Sequence, residues 1–343
     1  MHKRPPFFHH LHPPTIPAEQ ARWRYTLGAG GLAIYLSAVL LISGALEMVY
    51  YVATPDKAGL SIQTITYLVP FGALVRNLHY WAAQLLVVIV LIHMLRVIFT
   101  GAYAPPRRFN YLIGLSLFML VLMLDFSGYV LRWDEGVRWA LIVGTNLFKT
   151  IPFFGAWLYR LVVGGNSPGL ETIIRFYAAH IFLLILIFVF GIGWHIFRVR
   201  RDGGIAVPNT TPDSRVRIRR MVLVQREALA VIIATIILLL LSVYEPAPLA
   251  APIASLNSAS SEAQAPWFFL WIQGLLRLGN PFWIGVIIPL GLFTFLALIP
   301  FIFPSPPVEE RGKWFPQGGR LVQIMVGVMV ILIIALTIWS ILL

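Results

Sequence analysis

The chain has 343 residues, 59% of them hydrophobic and only 12% charged, with a formal net charge of +12 and no cysteine. Soluble domains carry about 25% charged residues, so this composition excludes an ordinary soluble protein and, despite the positive charge, a nucleic-acid binder. The lack of cysteine excludes disulfides, Cys-bound zinc, iron–sulfur clusters held by this chain and thioether-attached haem.

The first 22 residues form a polar tail rich in His and Pro (His2, His9, His10, His12). It has no apolar core or cleavage site of a secretory leader, so the first apolar helix is expected to remain as a mature span. Apolar runs longer than ~18 residues read as membrane spans. Seven are predicted, at 25–51, 78–100, 110–131, 172–197, 222–243, 281–303 and 320–343. The fold class is therefore an all-α membrane protein with seven transmembrane helices. The tail and the loops after the second, fourth and sixth spans ("YAPPRRFN", "RVRRDGGIAVPNTTPDSRVRIRR", "PSPPVEERGKWFPQGGR") are rich in Arg and Lys. The loops after the first and fifth spans nearly lack them. Positive loops stay on the negative (n) side, which places the N-terminus there and the C-terminus on the opposite, p side. The loop 132–171 contains "KTIPFFGAWLYRLVVGG" and is long enough to predict short amphipathic interfacial helices. A polar hinge at 198–220 divides four spans from three. The predicted organisation is a tail (1–22), a four-helix domain (23–208) and a three-helix domain (209–343).

Four histidines lie outside the tail, all within the second and fourth spans: His79 and His93, then His180 and His195. Fourteen residues turn about 40° short of four helical turns and fifteen about 60° past them, so each pair shares one helix face, ~21–22 Å apart along the axis. Both spans run inward from the p side. His79 matches His180 in depth near that side, and His93 matches His195 near the n side. Two cross-helix pairs at two depths make two bis-His metal sites. Haem iron takes two axial imidazoles and fits between facing helices. Zinc would need four ligands at each level, and no further acids or thiols are at hand. Histidines without such a role would carry a membrane cost with no return.

Gly30 and Gly44 in the first span, and Gly114 and Gly128 in the third, repeat the 14-residue spacing. Glycine lets a flat group approach a backbone closely, so these four are expected to admit porphyrin. Arg76 and Arg96 stand one turn outside His79 and His93, where they can pair with haem propionates or snorkel to the interface. Arg198, Arg200 and Arg201 follow His195. A propionate, a quinone pocket and the positive-inside bias all account for them.

Three stretches, "GALVRNLHYWAAQLLVVIVLIHMLRVIFTGAY", "SGYVLRWDEGVRWA" and "RFYAAHIFLLILIFVFGIGWH", resemble the cytochrome b subunit of quinol-oxidising cytochrome bc and b6f complexes. The likeness covers most of residues 20–208, with His spacings of 14 and 15 that resemble the b6 branch. Residues 215–343 resemble subunit IV, so the two parts look fused. The resemblance implies a four-helix haem bundle. His79 and His180 would ligate a p-side haem b, and His93 and His195 an n-side haem b. It implies quinol oxidation at the p side beneath the 132–171 loop and the loop after the fifth span. One electron would pass to a Rieske-type iron–sulfur protein and on to a c-type cytochrome or equivalent. The other would cross through the haems to an n-side quinone, with coupled proton translocation. A homodimer within a larger complex, in lipid and in the bacterial cytoplasmic membrane, is likewise implied.

The sequence departs from that family pattern twice. Gly28 stands where the b6 branch has a cysteine, so no covalent extra haem is expected. The family's Pro-Glu-Trp-Tyr, whose glutamate accepts a quinol proton, corresponds to Ala265-Pro266-Trp267-Phe268. Trp267 remains as a quinol-site residue, and Asp134, Glu262 and Glu245 are the candidate replacement bases. The missing glutamate keeps a second reading open, a dihaem membrane anchor exchanging electrons with the quinone pool at a single site. A non-redox scaffold or transporter is a third, which the histidine pairs oppose.

Overall fold

The computed structural model describes residues 14–208, 216–253 and 265–342. Among them are seven helices long and apolar enough to cross a membrane. They are α1 (Ala29–Met48), α2 (Gly72–Phe99), α3 (Arg108–Leu131), α4 (Leu170–Arg201), α5 (Met221–Tyr244), α6 (Phe282–Ile302) and α7 (Gln317–Leu342). Each spans a predicted segment, and the chain is an integral membrane protein. Outward faces carry bare Ile and Leu, for example Ile232 and Ile236 on α5 and Ile331 and Leu332 on α7.

The largest shift from expectation is at α2, which begins six residues before position 78. Apolarity alone misses this first turn and a half because Arg76 and Asn77 are buried there. Both are satisfied by the last turn of α5 and the chain that follows it. Arg76 donates to the carbonyls of Ala247 and Pro248. Asn77 donates to Ser242 O at 2.8 Å and accepts from Ala247 N at 3.0 Å. Buried polar groups persist in membranes when they find such partners.

Helix α1 packs along α2, and α3 along α4. Between them Leu36, Ala82, Leu86, Val87, Val121 and Phe188 form a buried seam, joined by Leu238 of α5. A second cluster (Met94, Ile98, Tyr111, Leu115, Leu296, Ile299, Val322, Val326) docks α6 and α7 against α2 and α3. There Tyr111 donates to Leu296 O at 2.8 Å. Water-driven burial does not act between helices in lipid, so close packing and such hydrogen bonds hold the assembly.

The 132–171 loop folds into two short helices, Glu135–Lys149 and Gly155–Val163, as its amphipathic pattern predicts. Strands β1 (Thr15–Pro17) and β2 (Arg217–Arg219) pair antiparallel, Ile16 opposite Ile218. They tie the segment before α1 to the entry of α5, over buried Ile16, Ala21 and Leu223.

Candidate metal and cofactor centre

Helices α2 and α4 bring their histidines face to face at two levels. The His79 and His180 ring centroids are 6.4 Å apart at 65°, and those of His93 and His195 are 6.4 Å apart at 82°. The unequal spacings, 14 on α2 and 15 on α4, align for a local reason. Residues Ala179–Leu183, which include His180, form a π-helical turn. A π-turn absorbs one extra residue, so fifteen residues on α4 do the work of fourteen.

Each histidine ring lies against a glycine of the neighbouring helix. A Cβ at Gly44 would stand 3.0 Å from His79 Cε1, at Gly128 2.8 Å from His180 Cε1, at Gly114 3.2 Å from His195 Cε1 and at Gly30 3.8 Å from His93 Cε1. The atoms at closest approach are imidazole carbons, so the four glycines admit the histidine rings themselves.

At one level the ring orientation is fixed by serines. Ser43 Oγ and Ser127 Oγ each lie 3.0 Å from the Nδ1 of His79 and His180. Their hydroxyl hydrogens go to Val39 O at 2.8 Å and Leu124 O at 2.9 Å. The serine oxygens therefore accept from Nδ1–H, which leaves the Nε2 lone pairs free. At the other level His93 Nδ1 and His195 Nδ1 are buried, with no hydrogen-bond partner among the described residues. Sequence reasoning missed both serines, although the signal was present: Ser43-Gly44 and Ser127-Gly128 are the same dipeptide on α1 and α3.

Two imidazoles bonded to one metal at about 2.0 Å each, with about 1 Å more from nitrogen to ring centre, would place their centroids ~6 Å apart. The observed separations match this. No group of three or more His, Asp or Glu capable of holding a metal occurs among the described residues. Among the described residues each centre thus offers two imidazole nitrogens, a donor set that would suit haem, whose macrocycle would supply the other ligands.

The arginines are placed unevenly. Arg76 is buried and spends two of its N–H groups on Ala247 and Pro248. Arg96 is buried too, donating to Ala206 O at 3.0 Å, with its Nε unpartnered. Arg198 pairs with Asp202 at 3.1 Å. The carboxyl carbon of Glu227 on α5 lies 3.4 Å from where a Gly31 Cβ would stand. Gly28, just before α1, has φ +62°, a conformation that favours glycine over any side chain.

Asp134 sits where the 132–171 loop meets the segment after α5. Its fully buried carboxylate accepts from Arg132 at 2.6 Å, from Val137 N at 3.2 Å as helix cap, and from Ala250 N at 3.1 Å. These bonds latch the 132–171 loop onto the segment after α5 and leave the carboxylate fully buried. Glu245 is exposed, and Glu262 lies outside the described residues. Trp267 donates to Gln84 Oε1 at 2.7 Å. Gln84 Nε2 in turn reaches Asp125 Oδ1 and Oδ2 at 3.3 and 3.4 Å. Neither Gln84 nor Asp125 was singled out from sequence, although an acid inside "LVLMLDFSG" is itself a signal.

A family model described as cytochrome b (N-terminal)/b6/petB matches residues 84–252. Over 188 residues the chain is 36% identical to cytochrome b6 of Heliobacterium mobile, covering 55% of this chain and 87% of that protein. The chain belongs to the cytochrome b/b6 family. This cytochrome b is also 34% identical over 175 residues to the menaquinol:cytochrome c reductase cytochrome b subunit of Bacillus subtilis, covering 51% of this chain and 78% of that one. It is 29% identical over 300 residues to the cytochrome bc complex cytochrome b subunit of Chlorobaculum thiosulfatiphilum, covering 85% and 70%. Its fold matches a chain of a hyperthermophilic respiratory Complex III with TM-score 0.76 and 24% identity, over 92% of this chain and 91% of that one. It is thus a bc/b6f-type cytochrome b, a membrane electron-transfer subunit. The family implies b-type haem, and a chain without cysteine holds it without a thioether bond.

Proposed function

We propose that this cytochrome b holds two haems, one between His79 and His180 near the p side and one between His93 and His195 near the n side, and serves quinol oxidation with coupled proton translocation. Residues 23–208 would form the haem domain and residues 209–343 the fused subunit IV-like domain. The carrying observation is the repetition: two histidine pairs at the same 6.4 Å ring separation, each ring against a glycine. Bound at two depths ~21 Å apart along the helices, the haems supply one-electron carriers that link the two membrane faces.

The chain's own residues supply the rest. Ser43 and Ser127 hold the p-side imidazoles with Nε2 presented for ligation. Arg76 and Arg96 have N–H groups left for propionates. The segment after α5, latched by Arg76 and Asp134, and the 132–171 loop would cover the p-side quinol site, with Trp267 at its edge. Arg200 of α4 and Glu227 of α5 would bind quinone at the n side. The N-terminus would lie on the n side and the C-terminus on the p side. Partners would be a Rieske-type iron–sulfur protein and a c-type cytochrome or equivalent, in a dimeric complex within the bacterial cytoplasmic membrane.

The test is quinol-driven reduction in sealed vesicles carrying the purified complex. Reduction of b-type haem with proton release on the p side supports the proposal. Haem reduction without proton release would favour the single-site membrane anchor instead.

A further inference from the structure

We propose that Asp125 is the catalytic base that takes a proton from quinol at the p-side site, with Gln84 and Trp267 holding it in place. The inference rests on the quinol-oxidising reading above.

An acid inside a membrane span is expensive and by default marks function. Asp125 lies within α3, six residues from its end. Among the described residues its carboxylate has the Gln84 amide as hydrogen-bond donor and no ion-pair partner. An indole N–H only donates. The Trp267 bond to Gln84 Oε1 therefore fixes which way that amide points and turns its NH2 onto Asp125. An ionised carboxylate has about four acceptor sites, so lone pairs remain for another donor. The residue is only partly buried, unlike Asp134.

The surroundings select the donor. Phe126, next in sequence, meets Phe176 at 6.3 Å and Phe269 at 5.8 Å. Trp267 meets Phe268 at 5.8 Å. An aromatic wall beside one acid suits a flat apolar ring that carries hydroxyl groups, which is the chemistry of quinol. The position also fits. Gln84 is five residues beyond His79, and Asp125 is three before Gly128, which touches the His180 ring. The acid therefore lies ~4–8 Å to the n side of that histidine level along the helix axes, and Trp267 links it back to the segment after α5. Tyr129 of α3 and Arg132, its C-cap, continue the same stripe toward the p side.

In the step proposed, one quinol O–H bond breaks and an O–H bond forms on Asp125. The quinol's two electrons would leave singly, one to the haem that His79 and His180 would hold and the other to an iron–sulfur partner of the kind proposed above. That protein takes the second proton.

The experiment compares wild type, Asp125→Asn and Asp125→Glu in the complete complex. Asp125→Asn is expected to keep full haem content and dithionite-reduced spectra while slowing quinol-driven haem reduction about 10²-fold. Asp125→Glu should recover most of the rate. In infrared difference spectra triggered by quinol oxidation, a protonated-carboxyl band should appear in wild type and be missing in Asp125→Asn. Wild-type rate and spectrum in Asp125→Asn would overturn the proposal, as would equal slowing in Asp125→Glu. Should Asp125→Asn lose haem, Gln84→Leu decides: slowed quinol-driven reduction with haem intact supports the proposal, and an unchanged rate overturns it. A wild-type complex that quinol does not reduce would refute the proposed function itself, whatever the variants do.

Discussion

Replacing Gly128 by alanine sets two effects against each other. Alanine favours a helix interior over glycine by about 1 kcal/mol. The new Cβ, however, would stand 2.8 Å from His180 Cε1, where ordinary carbon contacts begin at about 3.5 Å. The ring would have to retreat by roughly 0.7 Å, and overpacking of this kind costs about 1–3 kcal/mol. A ring holding a metal at about 2.0 Å has little freedom to retreat, and Ser127 pins its Nδ1. The clash should win, and the cost should fall on the haem at that level. The other glycines grade the effect: 3.0 Å at Gly44, 3.2 Å at Gly114 and 3.8 Å at Gly30. At Gly30 the contact is ordinary and the helix preference should prevail. Haem per polypeptide, measured by pyridine haemochromogen, should therefore fall most in Gly128→Ala, less in Gly44→Ala and Gly114→Ala, and not at all in Gly30→Ala. Equal haem content across all four variants would refute the reasoning, because it would mean that the glycines are ordinary packing residues.

Ser127→Ala removes the acceptor of His180 Nδ1–H, which makes the imidazole a poorer electron donor. The midpoint of the haem proposed between His79 and His180 should rise by about 40 mV, the equivalent of ~1 kcal/mol for one electron, with the second proposed haem unmoved in a redox titration. Asp134→Asn should lower stability by roughly 3 kcal/mol, as loss of one partner of a buried ion pair does, yet leave quinol-driven haem reduction intact in the folded fraction. A selective kinetic loss would reinstate Asp134 as a base. Arg76→Ala frees the carbonyls of Ala247 and Pro248, so hydrogen exchange at the Ala247 amide should accelerate about 10–100-fold, and Arg76→Lys, with its single ammonium, should not restore both bonds.

What could be read from sequence followed from periodicity and cost. Long apolar runs marked all seven spans. Four histidines at matched spacing in apolar helices predicted the facing of α2 and α4, because no cheaper arrangement satisfies them. What was hidden depends on partners far away in the chain. The start of α2 at Gly72 is legible only once Arg76 and Asn77 are seen bonded to residues 242–248. The 15-residue spacing on α4 implied a rotational mismatch that the π-turn at Ala179–Leu183 removes, and hydrophobic pattern does not encode a π-turn. Ser43 and Ser127 resemble small packing residues until their oxygens are placed against Nδ1. Asp134 was attractive as an acid near the quinol segment, but its burial as a helix cap and latch was invisible without the fold. Asp125 was passed over within an otherwise apolar run, where a single acid has little effect on hydropathy.

The central claim is that two histidine pairs hold two separate haems. The most direct measurement is a haem count with potentiometric titration on wild type, His93→Ala and His79→Ala. Two b haems per chain and two one-electron transitions are predicted for wild type. His93→Ala should lose the n-side transition and His79→Ala the p-side one, each leaving the other in place. A wild-type count of one haem per chain, or the same transition lost in both variants, would contradict the claim.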